Sequence, residues 1–206
     1  MAASLCHIAR GRLAASAFAF ALAAGLLLSS AVVATAASLQ EQKAMCIACH
    51  GETGQSDNPD VPHIGGQPKL FVMYQLFFYR EGRRKSPEMN TVAKDLSDAD
   101  LTALSDYVAA LPPPKPATGE VDRARYRRGA ELAQKHLCGA CHNPDYSGRE
   151  QMPRVAHQRE AYLLKAFKDY QAGQRPSTQA AMQEALRGLN ETDLADLAHY
   201  LANFRP

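Results

Sequence analysis

Acidic residues are missing from the first forty positions, and the first to occur is Glu41. Charge of either sign is also missing after Arg10 and Arg12, where an Ala- and Leu-rich run extends from Leu13 to Val33. Basic residues leading into an uncharged run have the layout of a secretory signal, with Ala34-Thr35-Ala36 as the small-residue cleavage site. The run also reaches the roughly 20 residues that span a bilayer, so an uncleaved anchor is the competing reading. Alanines and Gly25 dilute its apolarity, which favours cleavage. Either way residues 1–36 direct the rest of the chain out of the cytoplasm. Beyond them a charge excess is lacking: 21 basic residues face 21 acidic ones, which argues against a nucleic-acid partner. Sustained apolar–polar alternation is absent as well, so strands are not expected and the fold class is all-α. Cysteine is scarce. Of five, Cys6 lies in the signal and the other four form two pairs of identical spacing.

In an oxidising compartment four cysteines could make two disulfides. The residue after each pair points elsewhere: the two motifs are Cys46-Ile47-Ala48-Cys49-His50 and Cys138-Gly139-Ala140-Cys141-His142. C-x-x-C-H is the attachment signature of c-type haem. Two thiols add to the two porphyrin vinyl groups, the turn between them sets their separation, and the adjacent histidine falls under the ring to ligate the iron. A zinc site would want both pairs close around one ion. Here the pairs lie 92 residues apart, each inside its own copy of a repeat. The reading is therefore two covalently bound haems, held by Cys46 and Cys49 and by Cys138 and Cys141, with His50 and His142 as iron ligands.

The surroundings of the motifs recur. Pro62 and Gln67 return as Pro153 and Gln158, and Tyr79, Gly82 and Arg84 return as Tyr170, Gly173 and Arg175, all shifted by 91 positions. After a two-residue insertion Met89 and Leu96 return as Met182 and Leu189. Each copy closes with a helix whose start is marked by Ser97 with Asp100, or Asn190 with Asp193. The apolar residues behind these caps share one 3-4-3 spacing: Leu101, Leu104, Val108, Leu111 and Leu194, Leu197, Leu201, Phe204. Pro112-Pro113-Pro114-Lys115-Pro116 cannot continue a helix and marks the boundary. The expected organisation is a signal over 1–36, a first domain over 37–111, a linker over 112–122 and a second domain over 123–206. Domains of this size have marginal cores, which an enclosed haem would complete. A further helix starts near Pro68 and runs through Phe71, Tyr74 and Phe78, with its counterpart carrying Leu163, Phe167 and Tyr170. The second domain has a helix before its motif, around Tyr126 to Lys135, and the corresponding first helix should be short.

A six-coordinate haem needs a second axial group, and a thioether favours ferrous iron. Met89 and Met182 stand in equivalent places, 39 and 40 residues after their histidines, in stretches read as polar loops. The alternative is that both fill the core, as methionine usually does. Met73 sits in an apolar helix and reads as core. His63, His136, His157 and His199 have no counterparts and read as surface or satisfied residues. Ligating histidines give their second ring N–H to an acceptor. Pro62 and Pro153 are candidates to present it as a carbonyl, the plainer alternative being ordinary turn prolines.

With these residues in view the chain resembles the dihaem cytochrome c₄ family. The resemblance rests on Cys46-Ile47-Ala48-Cys49-His50-Gly51, the Pro62 to Gln67 segment, Gly82-Arg83-Arg84, and Met89 followed by Leu96-Ser97-Asp98. The second copy departs from the pattern at Asn143 and in a longer loop before Met182. The resemblance implies two tandem class I cytochrome c domains about a pseudo-twofold axis, haem propionates near the interface and His/Met ligation in both. It also implies periplasmic electron delivery between a membrane oxidoreductase and a terminal oxidase or other redox enzyme, by a monomer or a subunit of a redox complex, with membrane association open. A runner-up is the electron-accepting cytochrome subunit of a larger dehydrogenase. A third reading, a dihaem peroxidase or thiosulfate-oxidising enzyme, needs an open or unusually ligated iron and is disfavoured by the paired methionines.

Overall fold

The computed structural model describes residues 37–178 and 181–206, and the proposed signal lies outside them. Among the described residues regular structure is entirely helical, apart from one isolated bridge between Arg149 and Met152. No helix there is long and apolar enough to cross a membrane. Residues 37–206 form one compact unit built around two apolar cores.

The first core belongs to four helices, α1 (Leu39–His50), α2 (Lys69–Arg80), α3 (Pro87–Ala93) and α4 (Asp98–Ala110). Ser38 and Glu41 close a capping box at the start of α1, and Ser97 and Asp100 do the same for α4. Val72 and Leu76 of α2 meet Leu101, Leu104 and Val108 of α4, the stripe that the 3-4-3 spacing predicts. Pro68 precedes α2 directly, as a residue that cannot donate an N–H but can open a helix.

The second core repeats this plan with α5 (Arg123–Lys135), α6 (Cys138–His142), α7 (Glu160–Gln171), α8 (Ala181–Ala185) and α9 (Glu191–Ala202). Asn190 and Asp193 form the capping box of α9, and Leu194, Leu197 and Leu201 are each 2% exposed. Helix α5 crosses α9 at Gly129, where an added Cβ would lie 2.2 Å from the Asp196 carbonyl oxygen. Beside this crossing the nearly buried Asp196 carboxylate pairs with Arg125 and Arg128.

The helix before the first motif is short, as expected, with only Leu39–Met45 preceding Cys46; it then runs unbroken through the motif to His50, whereas Leu137, in the left-handed region (φ 54°), separates α5 from α6. The stretch around Met89 is a helical turn and not a polar loop; Met182 lies in the short α8, while Ser177 and Thr178 before it are not helical and Gln179 lies outside the described residues. Ser86 accepts from the Met89 N–H with Pro87 at the first helical position, so its polar sequence is the chemistry of a helix start. The Pro-rich segment is extended and packed against both cores: the Lys115 N–H donates to Gln55 Oε1 and the Pro114 carbonyl lies 3.1 Å from His157 Nδ1.

Candidate cofactor site

Both motifs open onto a continuous cavity of about 640 Å³. Its walls include Cys46, Cys49, His50 and Met89 from the first core and Cys138, Cys141, His142 and Met182 from the second. All eight sequence candidates therefore border one interior space. Helix geometry does the local work, because a spacing of three puts both thiols of a motif on one face and the histidine ends the same turn. The four thiols are unpaired. Burial pushes the Cys138 thiol up to about 11 and raises that of Cys46. Among the described residues no three His, Cys, Asp or Glu side chains gather as a zinc site needs.

Each motif histidine is buried, and one of its nitrogens is committed. His50 Nδ1 lies 2.9 Å from the Pro62 carbonyl oxygen and His142 Nδ1 lies 2.8 Å from that of Pro153. The two prolines thus take the role expected of them. Donation from Nδ1 fixes the tautomer and leaves Nε2 unprotonated, the form in which an imidazole can bind a metal. Burial also lowers both imidazole pKa values, against an opposing pull from the proline carbonyls, and so favours the neutral form that binds metals.

Met89 and Met182 are half-buried, line the cavity and pack against the first and second cores respectively. Met73 packs against the first core, as read. His63 accepts from the Ser56 N–H, His157 lies between the Pro114 and Phe204 carbonyls, and His199 faces Glu160. His63 and His157 are thus satisfied, while His199 is satisfied at Nδ1 only, its Nε2 being buried without a partner.

Two cavity residues escaped the sequence reading as parts of the site. The Nε atoms of Arg154 and Arg175 are buried with no hydrogen-bond partner, although both side chains line the cavity. An orphaned buried guanidinium N–H calls for an anion. The carboxylate arms of haem meet that need, so cavity, thiols, histidines and arginines together fit the group. The recurrence of Arg84 as Arg175 was the available signal. Each stacks on its own repeat's tyrosine, Arg84 at 4.6 Å from the Tyr79 centroid and Arg175 at 5.0 Å from that of Tyr170.

Residues 126–205 match the Cytochrome c family, and residues 31–108 match the family described as cytochrome C oxidase, cbb3-type, subunit III. A solved cytochrome c₄ of Acidithiobacillus ferrooxidans is 30% identical, with a TM-score of 0.68, and the match covers 78% of this chain and 99% of that one. The chain belongs to the dihaem cytochrome c₄ family. A cytochrome c₄ of Pseudomonas aeruginosa is 29% identical over 81% of this chain and 87% of its own. A protein of Thiomonas intermedia named thiosulfate dehydrogenase electron acceptor is 35% identical over 68% of this chain and 70% of its own. As a cytochrome c₄ family member the protein has two tandem class I domains about a pseudo-twofold axis. Its cofactor is covalently bound haem c at two C-x-x-C-H motifs, and its function is electron transfer with redox partners.

Proposed function

We propose that this protein is a periplasmic single-electron carrier whose first haem is held by Cys46 and Cys49 with His50 and Met89 as axial ligands. The second is held by Cys138 and Cys141 with His142 and Met182. The observation that carries the reading is the repeated pairing of a motif histidine with a proline carbonyl on one shared cavity. Haem c supplies a one-electron Fe(III)/Fe(II) couple when bound. The chain's own residues hold the ring covalently, fix the histidine tautomers, present a thioether and offer buried guanidinium groups to anionic arms. We place the domains at 37–111 and 123–206, joined by 112–122, with 1–36 as the export signal. A membrane oxidoreductase is the donor in this reading and a terminal oxidase or similar enzyme the acceptor, the protein itself not being catalytic.

The 35% identity to a thiosulfate dehydrogenase electron acceptor favours one second reading, an acceptor dedicated to a dehydrogenase. Co-purification with a catalytic subunit separates the two. The mass of the denatured mature protein tests the attachment common to both, and it should exceed the polypeptide's by two haems. Changing Cys138 or Cys141 to Ser should disturb only the second haem. A mass carrying one haem or none overturns the reading.

A further inference from the structure

The side chains of the two glutamines that recur in the repeat, Gln67 and Gln158, reach across to the other domain, and Gln158 Oε1 also accepts from the N–H of its own neighbour Arg159. Each is almost fully buried and grips the other domain's backbone with both ends of its amide. Gln158 Oε1 accepts from the His63 N–H at 2.9 Å, and its Nε2 donates to the His63 carbonyl at 2.7 Å. Reciprocally, Gln67 Oε1 accepts from the Arg154 N–H at 3.0 Å while its Nε2 donates to the Arg154 carbonyl at 2.9 Å.

The gripped residues immediately follow the prolines that receive the motif histidines. The Pro62 carbonyl, which accepts from His50, and the His63 N–H, which donates to Gln158, are two ends of one planar peptide unit. The same holds for His142, Pro153, Arg154 and Gln67. An amide whose N–H is hydrogen-bonded carries more negative charge on its oxygen, because bonds in such a chain polarise one another. A more negative acceptor draws the Nδ1 proton more strongly and makes the imidazole a more basic ligand.

The geometry points to Gln67 and Gln158 as reciprocal positioning residues, through which each domain sets the orientation and basicity of the other domain's motif histidine. This rests on His50 and His142 being the iron ligands. A more basic histidine favours ferric iron, so loss of either glutamine raises the potential of the haem across the interface and leaves its own domain's haem in place. Arg159 gives the first loop a second hold: its Nε donates to the Val61 carbonyl and its guanidinium also reaches the Ser56 carbonyl. The Gln158 substitution therefore removes the polarising bond while the loop stays docked. Pro68 stands in the place equivalent to Arg159, so the second loop has no matching hold from that position.

The test is Gln158→Met and Gln67→Met, which keep side-chain length and remove the amide contacts, for Gln158 including its bond from the Arg159 N–H. The readouts are the two haem potentials and the NMR signals of the histidine Nδ1–H protons in the fully reduced protein. Gln158→Met should shift the first haem's one-electron equilibrium towards reduction by about three- to tenfold, a tenfold change being about 59 mV. The His50 Nδ1–H signal should move as for a weakened hydrogen bond, with the second haem unchanged. Gln67→Met should do the same to the second haem and His142. Equal shifts at both haems, a shift in the substituted domain, or no shift overturns the coupling. Should the Met variants not fold, Gln158→Glu keeps an acceptor for the His63 N–H and should leave the first potential at or below its wild-type value. A rise there also overturns the idea. Failure of the ligation reading looks different, because the wild-type protein would then lack the low-spin spectrum of histidine-ligated haem c.

Discussion

At the scale of single residues, what was legible is what chemistry demands locally. A thiol pair and a histidine must sit on one helical turn to serve a haem, so Cys46, Cys49 and His50 announce themselves in sequence. The prolines 62 and 153 could be read as acceptors because a ligating histidine needs one and these residues recur. Arg154 carries no such sign and Arg175 only its recurrence from Arg84, since a charge next to a proline or a turn glycine looks like surface until burial leaves its Nε unpaired. Met89 is the residue whose role is most exposed to test. Met89→Ala should lower the first haem's potential, let carbon monoxide bind it and remove about half of the far-red charge-transfer band of the ferric protein. An undiminished band would show that the thioether is not a ligand. Met182→Ala should act in the same way on the second haem.

Among the secondary-structure elements, caps and periodicity carried the helices that close each domain. Ser97 with Asp100 and Asn190 with Asp193 form the boxes that their spacing suggests. Asn190→Ala should cost about 1 kcal/mol in denaturant unfolding, largely restored by Asn190→Ser. The segments before the motifs were harder. Nothing in the sequence distinguishes the unbroken α1 from the α5–α6 pair, because the break falls at Leu137, a residue type that does not announce a left-handed conformation. Gly129 was equally silent until α9 was seen against it. Gly129→Ala would bring a Cβ to 2.2 Å from the Asp196 carbonyl oxygen and 2.5 Å from Tyr200 Cβ, so the helices must part. We expect a loss of about 2–3 kcal/mol in denaturant unfolding, as for overpacked cores. A stability within experimental error of wild type would show that the crossing is looser than described.

On the scale of the whole molecule, the repeat was legible and the docking of its copies was not. Gln67 and Gln158 were visible as a recurring pair, but their partners lie 87 and 95 positions away and depend on packing. The Pro-rich segment read as a boundary. In the fold it also serves as packing material, lying along Gly65 and Gly66 of the first domain and against His157 of the second. Charge is divided between the halves, with 7 basic and 10 acidic residues over 37–111 against 14 and 11 over 112–206. A molecule so divided has a dipole that can orient it at encounter. Electron-transfer rates with a physiological partner should therefore fall as ionic strength rises, while a flat profile would count against steering. The central claim is that two histidine- and methionine-ligated haems share one compact chain as one-electron centres. A spectroelectrochemical titration of the purified protein tests it most directly. One-electron oxidation that sums to two electrons per chain, with low-spin c-type spectra and the far-red methionine band at both centres in the oxidised form, is the predicted result; one electron per chain, or a high-spin ferric spectrum at either centre, would contradict it.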